Sequence, residues 1–138
     1  QIIYEFKPLL IEKNLTINSD IESGININID TNKIERVIDN IIRNAINYSY
    51  NDSIIDVHVN KSENLVNICI INKGPTIPNE KIAHIFDEFF RLDASRSSKT
   101  GNAGLGLAIA KSIITAHGGT ITARSQDEKI EMNVKLLA

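Results

Sequence analysis

The stretch Thr100-Gly101-Asn102-Ala103-Gly104-Leu105-Gly106-Leu107-Ala108-Ile109-Ala110-Lys111 places three glycines directly before an apolar helical pattern. Glycine lets the backbone approach a bulky ligand closely. A helix N-terminus carries partial positive charge and unpaired N–H groups, which suit phosphate. The stretch matches neither GxxxxGK[ST] nor a GxGxxG that lies between a strand and a helix with an acidic residue about 20 positions on. It predicts a helix entered through a phosphate-binding loop, and the rest of the chain must say which kind.

The composition indicates one ordinary globular domain. The chain has 138 residues, of which 42% are hydrophobic and 23% charged, enough for one core. A net charge of -2 gives no reason to expect a nucleic-acid partner, and no apolar run approaches the ~18 residues of a membrane span. The single cysteine, Cys69, predicts a buried thiol in a reducing compartment. Because the chain starts in mid-pattern without Met, we expect a piece of a longer protein.

Hydrophobic periodicity predicts alternating helices and strands. Asp30 or Thr31 can cap the longest helix, and Asn79 can cap a short one. We expect an α+β two-layer sandwich, with about three main helices over one face of a mixed, mainly antiparallel sheet. The predicted helices are 3–12, the helix after Asp30, a short one from Asn79 and Leu105 to Ala116; the strands are Leu15 to Ile17, 25–29, Ile54 to Val59, Leu65 to Ile71, Thr120 to Arg124 and Ile130 to Leu136.

The longest predicted helix carries asparagines on one face. Asn40, Asn44 and Asn47 share the side opposite its apolar stripe, although Asn is a poor helix former. The face is either a solvated polar surface or a polar ligand site. Amide oxygens suit Mg²⁺, and the neighbouring Tyr48 offers an aromatic surface for a base. The helix alone does not decide between these two readings.

Five motifs occur in a fixed order along nearly the whole chain. In that order they resemble the ATP-binding catalytic domain of sensor histidine kinases, in the superfamily shared with gyrase, Hsp90 and MutL. The resemblance implies a Bergerat-type ATP-binding fold over 1–138, and 89–97 is similar in particular to the sensor kinases of vancomycin resistance. The motifs are Asp39 to Ser49 (N box), Asn72 to Pro78 (first glycine box), Ile85 to Arg91 (F box), Gly101 to Leu107 (second glycine box) and His117-Gly118-Gly119.

The resemblance implies a phosphate end of the site. Asn44 would coordinate a Mg²⁺ that bridges the phosphates, with Asn40 beside it. Asn47 stands where many members have a Lys or Arg that contacts phosphate, which leaves three cations of the 91–104 loop for the triphosphate. The residues expected to be catalytic are Asn44, Arg91, Arg96 and Lys99, and the expected metal ligand is Asn44.

The resemblance also implies a base end. Tyr48 would line the adenine pocket, and Gly74 would let the backbone approach the base. Asn72 stands where most members have an Asp that accepts a hydrogen bond from the adenine amino group; an amide oxygen can still accept one. The residues expected to bind the nucleotide are Asn40, Asn44, Asn47, Tyr48, Asn72, Gly74, Ile77, Arg91, Arg96, Lys99, Gly101, Gly104, Leu105, Gly106 and Leu107.

Two departures from related enzymes indicate phosphoryl transfer. Hydrolytic relatives carry a Glu four residues before the metal-binding Asn, but position 40 is Asn, which cannot act as a base. The histidines His58, His84 and His117 are not followed by the acidic residue of an acceptor sequence. The resemblance therefore implies transfer from ATP to a histidine on the dimerisation domain of the same protein, and indirectly to a response regulator.

The expected setting is the cytoplasmic part of a membrane-anchored sensor kinase, with 92–103 acting as a lid that is mobile without nucleotide. Two other functions stay open at this point. One is a hydrolytic ATPase of the MutL or Hsp90 type, which Asn40 disfavours. The other is a non-catalytic module for nucleotide sensing or docking, which Asn47 and Asn72 keep possible.

Overall fold

The computed structural model of the chain describes residues 6–26, 29–90 and 105–137. No helix within these ranges is long and apolar enough to cross a membrane. The lid expected at 92–103 lies outside the described residues. The helices are α1 (Lys7–Lys13), α2 (Thr31–Asn47), α3 (Asn79–Ile82) and α4 (Gly106–Ala116), and the strands are β1 (Thr16–Ile21), β2 (Ile54–Ser62), β3 (Leu65–Lys73), β4 (Thr120–Gln126) and β5 (Lys129–Leu137).

The strands form one five-stranded sheet in the order β1-β2-β3-β5-β4. β1 and β2 are parallel, and every other neighbouring pair is antiparallel. A parallel pair needs a crossover connection, and α2 supplies it between β1 and β2. The helices pack on one face of the sheet, so the expected two-layer sandwich with a mixed, mainly antiparallel sheet is confirmed.

The core lies between the inner face of the sheet and α2 and α4. Alternate residues of β3 and β5 are buried, which is the pattern of strands with only one covered face. Val37 and Ile41 of α2 are 0% and 1% exposed, and Ala110 and Ile114 of α4 are both 0% exposed. Burying a Val or Ile side chain contributes about 1.5–3 kcal/mol, so the apolar stripe of α2 fixes this helix on the sheet.

The start of α2 and the end of α4 lie where the sequence predicts. The Asp30 carboxylate accepts a hydrogen bond of 2.8 Å from the backbone N–H of Asn32 and so caps α2. The C-cap of α4 is His117, and Gly118 follows with a φ of 74°, a conformation that glycine adopts without strain. These two ends confirm the predicted cap at position 30 and the predicted end of the last helix at Ala116.

Three local predictions are wrong. Ile25, Asn26 and Ile29 lie in no strand, because periodicity alone does not supply a partner for backbone hydrogen bonds; 27 and 28 lie outside the described residues. Asn79 is the first residue of α3, and its N-cap is Pro78 without a side-chain hydrogen bond. The aromatic side chain of Phe89 in the F box predicts a core position, but this residue is 66% exposed and adopts a φ of 64°.

Cys69 is not fully buried, contrary to expectation. Its place on β3 turns it to the outer face of the sheet, because the neighbouring residues Ile68 and Ile70 face the core. The thiol lies 3.5 Å from Glu131 Oε1 on β5. Partial burial, with the charge of Glu131 as a second cause, raises the pKa of Cys69 to about 11.

We therefore expect slow alkylation of Cys69 by iodoacetamide at pH 8. Only the thiolate reacts, so a pKa near 11 lowers the rate in the folded protein roughly a hundredfold relative to the protein in urea. The folded-state rate should rise as the pH approaches 11, because the thiolate fraction grows. Glu131→Gln should accelerate the reaction by removing the neighbouring charge, measured by mass spectrometry over time. Equal rates in the folded protein and in urea would contradict the raised pKa.

Candidate functional site

The asparagine face of α2 is largely buried. Asn44 is only 5% exposed, Asn40 and Asn47 are half-buried, and α4 packs against α2. The side-chain Nδ2 atoms of Asn40 and Asn47 are buried and have no hydrogen-bond partner. A buried donor without a partner costs about 1–3 kcal/mol. The face is therefore not a solvated polar surface, and its free donors suit a ligand with acceptor atoms.

The N-terminus of α4 meets this face at Asn40. A Cβ added to Gly106 would lie 3.7 Å from Asn40 Cγ, which is an ordinary contact. The packing of α4 against α2 therefore does not by itself require glycine at position 106. Leu107 is 8% exposed and belongs to the core, and Leu105 is the N-cap of α4. Of the glycine-rich stretch, the described part thus anchors the helix and brings its first turn to Asn40.

A second contact joins the end of α2 to the segment after β3. A Cβ added to Gly74 would collide with the backbone carbonyl oxygen of Tyr48. It would also lie 3.4 Å from Asn72 Nδ2. Only glycine fits at this position, and the close approach brings Tyr48, Asn72 and Gly74 together as the expected base end requires.

Asn72 is the most deeply buried of the asparagines predicted to bind the nucleotide. It occupies an inward-facing position near the end of β3 and is 2% exposed. Its Nδ2 atom has no hydrogen-bond partner. A buried amide of this kind needs an external acceptor, so Asn72 has the chemistry of a residue that pairs with the edge of a base.

The loop after β3 is held by the turn between β4 and β5, which the sequence did not predict to matter. The N–H of Gly74 donates to the Glu128 carbonyl at 3.1 Å, and the N–H of Glu128 donates to Thr76 Oγ1 at 2.8 Å. The N–H of Ile77 donates to Ser125 Oγ at 2.8 Å, and Ile77 is 5% exposed. No sequence pattern marks Ser125 or Glu128, because their roles arise only from the fold.

Tyr50 ties the same turn to the end of α2. Its hydroxyl donates to Glu128 Oε1 at 2.8 Å. This hydrogen bond to a carboxylate is the main reason that the pKa of Tyr50 is raised. The segment after α2 and the loop after β3 are therefore fixed to one another through Glu128.

Asn47 and Tyr48 also line a cavity beside the C-terminal end of α2. It is a cavity of about 550 Å³ between α1, the end of α2 and Pro75. Lys13 of α1 and Arg43 of α2 contribute to its wall. The C-terminal end of the asparagine face thus borders the cavity that α1 also lines.

The predicted site residues divide into two groups. One group converges on the described asparagine face and the loop after β3; the other cannot be placed. Placed are Asn40, Asn44, Asn47, Tyr48, Asn72, Gly74, Ile77, Leu105, Gly106 and Leu107. Arg91, Arg96, Lys99, Gly101 and Gly104 lie outside the described residues.

A metal ion at this site would need coordinating atoms from a bound molecule in addition to those of the protein. Among the described residues there is no group of three or more His, Cys, Asp or Glu side chains that could hold an ion. Mg²⁺ commonly takes one or two protein oxygens and completes its shell with phosphate and water. The buried amide of Asn44 fits that arrangement, provided that a phosphate ligand is bound.

The histidines are engaged elsewhere. His58 faces Asp20 across the β1–β2 pair, with Nδ1 3.7 Å from its carboxylate. His84 Nδ1 lies 2.7 Å from Asp87 Oδ2. His117 Nδ1 lies 2.7 Å from the Ile113 carbonyl at the end of α4.

Sequence comparison places the chain among sensor kinases. The family of histidine kinase-, DNA gyrase B- and HSP90-like ATPases matches residues 29–136. Over 136 residues the chain is 48% identical to the sensor protein VanSC of Enterococcus gallinarum, covering 99% of this chain and 37% of the relative. Over 91 residues it is 52% identical to the sensor protein VanS of Enterococcus faecium, covering 66% of this chain and 23% of the relative. The chain thus spans between about a quarter and about a third of these curated relatives.

Solved structures of histidine kinases share the fold. The nucleotide-free catalytic domain of histidine kinase ThkA superposes with a TM-score of 0.86 at 23% identity, covering 99% of this chain and 87% of that one. Histidine kinase AdeS of Acinetobacter baumannii superposes with a TM-score of 0.81 at 26% identity, covering 99% of this chain and 60% of that one.

The sequence comparison confirms the resemblance carried by the five motifs, including the similarity to the sensor kinases of vancomycin resistance, and the structural comparison confirms the fold. The match of residues 29–136 covers α2 with its asparagine face, the loop after β3 and α4. The chain belongs to the histidine kinase-, DNA gyrase B- and HSP90-like ATPase family, as a catalytic domain of the sensor histidine kinase type.

Proposed function

We propose that residues 1–138 form one catalytic domain that binds Mg-ATP and presents the γ-phosphate to a histidine on the dimerisation domain of a longer sensor kinase. The observation that carries this proposal is the set of buried Nδ2 atoms without partners at Asn40, Asn47 and Asn72. Burying three free amide donors is unfavourable unless a polar ligand pairs with them. A nucleotide offers acceptors on its base, ribose and phosphates.

The base would lie between Tyr48 and the loop after β3. The close approach of Gly74 to the Tyr48 carbonyl keeps side chains out of this place, and Asn72 stands at its inner end. Ser125 of β4 and Glu128 in the following turn hold the loop, through hydrogen bonds from the Ile77 N–H to Ser125 Oγ and from the Glu128 N–H to Thr76 Oγ1. Because these hydrogen bonds form without a ligand, the base end would be largely pre-formed.

The phosphates would lie along α2 toward α4. Asn44 would hold Mg²⁺, which neutralises phosphate charge when bound, and Asn40 and Asn47 would donate to phosphate oxygens. Arg91, Arg96 and Lys99 would add positive charge, with Gly101 and Gly104 letting the backbone approach. Transfer of a phosphoryl group depends mainly on positioning and charge stabilisation, which such residues supply.

Transfer is favoured over hydrolysis by the chemistry of Asn40. An amide cannot take a proton from water, so the residue next to the phosphates cannot act as a general base. The contacts of His58, His84 and His117 to Asp20, Asp87 and the Ile113 carbonyl support an acceptor on another domain. We further propose that this domain is cytoplasmic in a membrane-anchored protein and serves a response regulator indirectly.

The proposal predicts that the isolated domain does not label itself with ³²P from γ-labelled ATP and hydrolyses ATP near background. A dimerisation domain with an acceptor histidine, added in trans, should acquire an acid-labile and base-stable label. Transfer should be slow, because the two domains are not tethered. The same dimerisation domain with its histidine changed to Gln is the control. Robust ATP turnover by the domain alone would instead support a hydrolytic ATPase, and the absence of Mg-ATP binding would support a docking module.

Asn44→Ala should weaken Mg-ATP binding by about ten- to a hundredfold, because the variant loses the amide oxygen that would coordinate the metal or accept a hydrogen bond from its water. Isothermal titration in the presence of Mg²⁺ measures this, with circular dichroism to check the fold. Asn32→Ala is the matched control, since Asn32 is an exposed residue in the first turn of the same helix. If both variants bind Mg-ATP like the wild type, Asn44 is not the metal ligand.

Asn72 should set how strictly the site prefers adenine. Its amide can accept from the adenine amino group, or turn over and donate to the carbonyl of guanine. We expect ATP to bind more tightly than GTP, with a smaller difference than in Asn72→Asp, whose carboxylate only accepts. Competitive titration of both nucleotides against both proteins gives the two ratios. Loss of ATP binding in Asn72→Asp would mean that residue 72 does not face the amino group.

A further inference from the structure

The last backbone carbonyl groups of α2 accept hydrogen bonds from several parts of the chain. The carbonyl of Asn44 accepts from the Tyr48 N–H at 3.2 Å, and the carbonyl of Ala45 accepts from Ser49 Oγ at 2.6 Å. The carbonyl of Ile46 accepts from the Ser49 N–H at 3.4 Å. The last helical carbonyl, that of Asn47, receives its hydrogen bond from a different helix.

That donor is Lys13, the last residue of α1. Its Nζ donates to the carbonyls of Ile46 at 2.8 Å, Asn47 at 3.1 Å and Ser49 at 3.1 Å. An ammonium group has three donors, and all three are used on this one helix end. Backbone bonds fix the lysine in turn, since the Asp52 N–H donates to the Lys13 carbonyl at 3.0 Å.

The charge of Lys13 also suits its place. Aligned peptide dipoles give a helix C-terminus partial negative charge, which a cation stabilises. The last turn of α2 contains no basic residue of its own. The positive charge at this helix end therefore comes from α1, and neutralising Lys13 removes both the charge and the donors.

The same helix end carries three of the proposed nucleotide contacts. Asn44, Asn47 and Tyr48 lie within its last turn and C-cap. From the opposite side, the Tyr48 carbonyl is packed against Gly74, and the Tyr50 N–H donates to the Lys73 carbonyl at 2.8 Å. The end of α2 is thus held between β3 on one side and Lys13 on the other.

We infer that Lys13 is a positioning residue of the nucleotide site, through which α1 keeps the Asn44, Asn47 and Tyr48 side chains in their binding arrangement. This inference rests on the proposed function, because the arrangement is useful only if these residues hold a nucleotide. Lys13 itself contacts the backbone of α2 and acts on the ligand through it. A displacement of α1 would change nucleotide affinity by the same route.

The test compares Lys13→Met with Lys33→Met in the purified domain. Methionine keeps an unbranched stem but removes the donors and the charge, and Lys33 is an exposed residue in the first turn of α2, at the opposite end of the helix. Isothermal titration is done well below the unfolding temperature of each variant. We expect Lys13→Met to weaken Mg-ATP binding about tenfold, which is the loss expected when a charged hydrogen-bond donor is removed. Lys33→Met should bind Mg-ATP like the wild type.

A second variant separates positioning from simple stability. Lys13→Arg keeps the charge, but its planar guanidinium cannot direct three donors to three converging carbonyls as an ammonium can. We expect it to restore thermal stability more completely than Mg-ATP affinity. If every Lys13 variant lowers the unfolding temperature while its affinity when folded stays at the wild-type value, Lys13 is structural only and the inference is wrong.

Amide hydrogen exchange without nucleotide distinguishes failure of this inference from failure of the proposed function. Lys13→Met should accelerate exchange at Tyr48 and Ser49, whose N–H groups close the end of α2, and Lys33→Met should not. A wild-type domain that binds no Mg-ATP overturns the proposed function and this inference with it. Wild-type binding together with unchanged exchange and affinity in Lys13→Met overturns the inference alone.

Discussion

The structure depends on α2 being buried on two sides at once. Its apolar stripe, including Val37 and Ile41, packs on the sheet, while Asn44 is also buried and Asn40 lies beside Gly106 of α4. A helix with one buried face could rotate or slide to improve its contacts, but this one is fixed between two layers of different chemistry. The asparagine amides therefore hold their positions without a ligand, and the polar interior that results is the place that we propose for a nucleotide.

The supports of this interior come from distant parts of the chain. Gly74 meets Tyr48 by backbone contact, Glu128 bonds both the loop after β3 and Tyr50, and Lys13 bonds the end of α2. Neither Glu128 nor Lys13 needs to touch a nucleotide. Their shared effect is to replace water around backbone polar groups with fixed partners, so that the order of the site is established before a ligand arrives.

The sequence predicted the features that local chemistry decides. Asp30 caps α2 because a short side chain can reach the free N–H groups of the first turn, and Gly118 ends α4 because few other residues adopt its φ. The asparagine face could also be read directly from helical spacing. Its burial could not, because burial depends on the tertiary packing around the helix.

The features that the sequence did not reveal are set by tertiary partners. Strand periodicity at 25–29 was misleading for Ile25 and Ile29, because a strand requires a neighbour. Cys69 was placed in the core by its apolar surroundings, but the pleat turns alternate residues outward. Lys13, Ser125 and Glu128 look like ordinary surface residues in the sequence, and their hydrogen bonds appear only when the fold brings distant segments together.

The parallel pairing of β1 with β2 has a consequence for how the domain assembles. Thr16 pairs with Ile54, so this pairing closes a loop that includes all of α2, whereas β2–β3 and β4–β5 are hairpins joined by short turns. Loop closure over such a distance is slow compared with hairpin formation. The two hairpins can therefore form first, and the β1–β2 and β3–β5 pairings, which join distant parts of the chain, follow and complete the sheet.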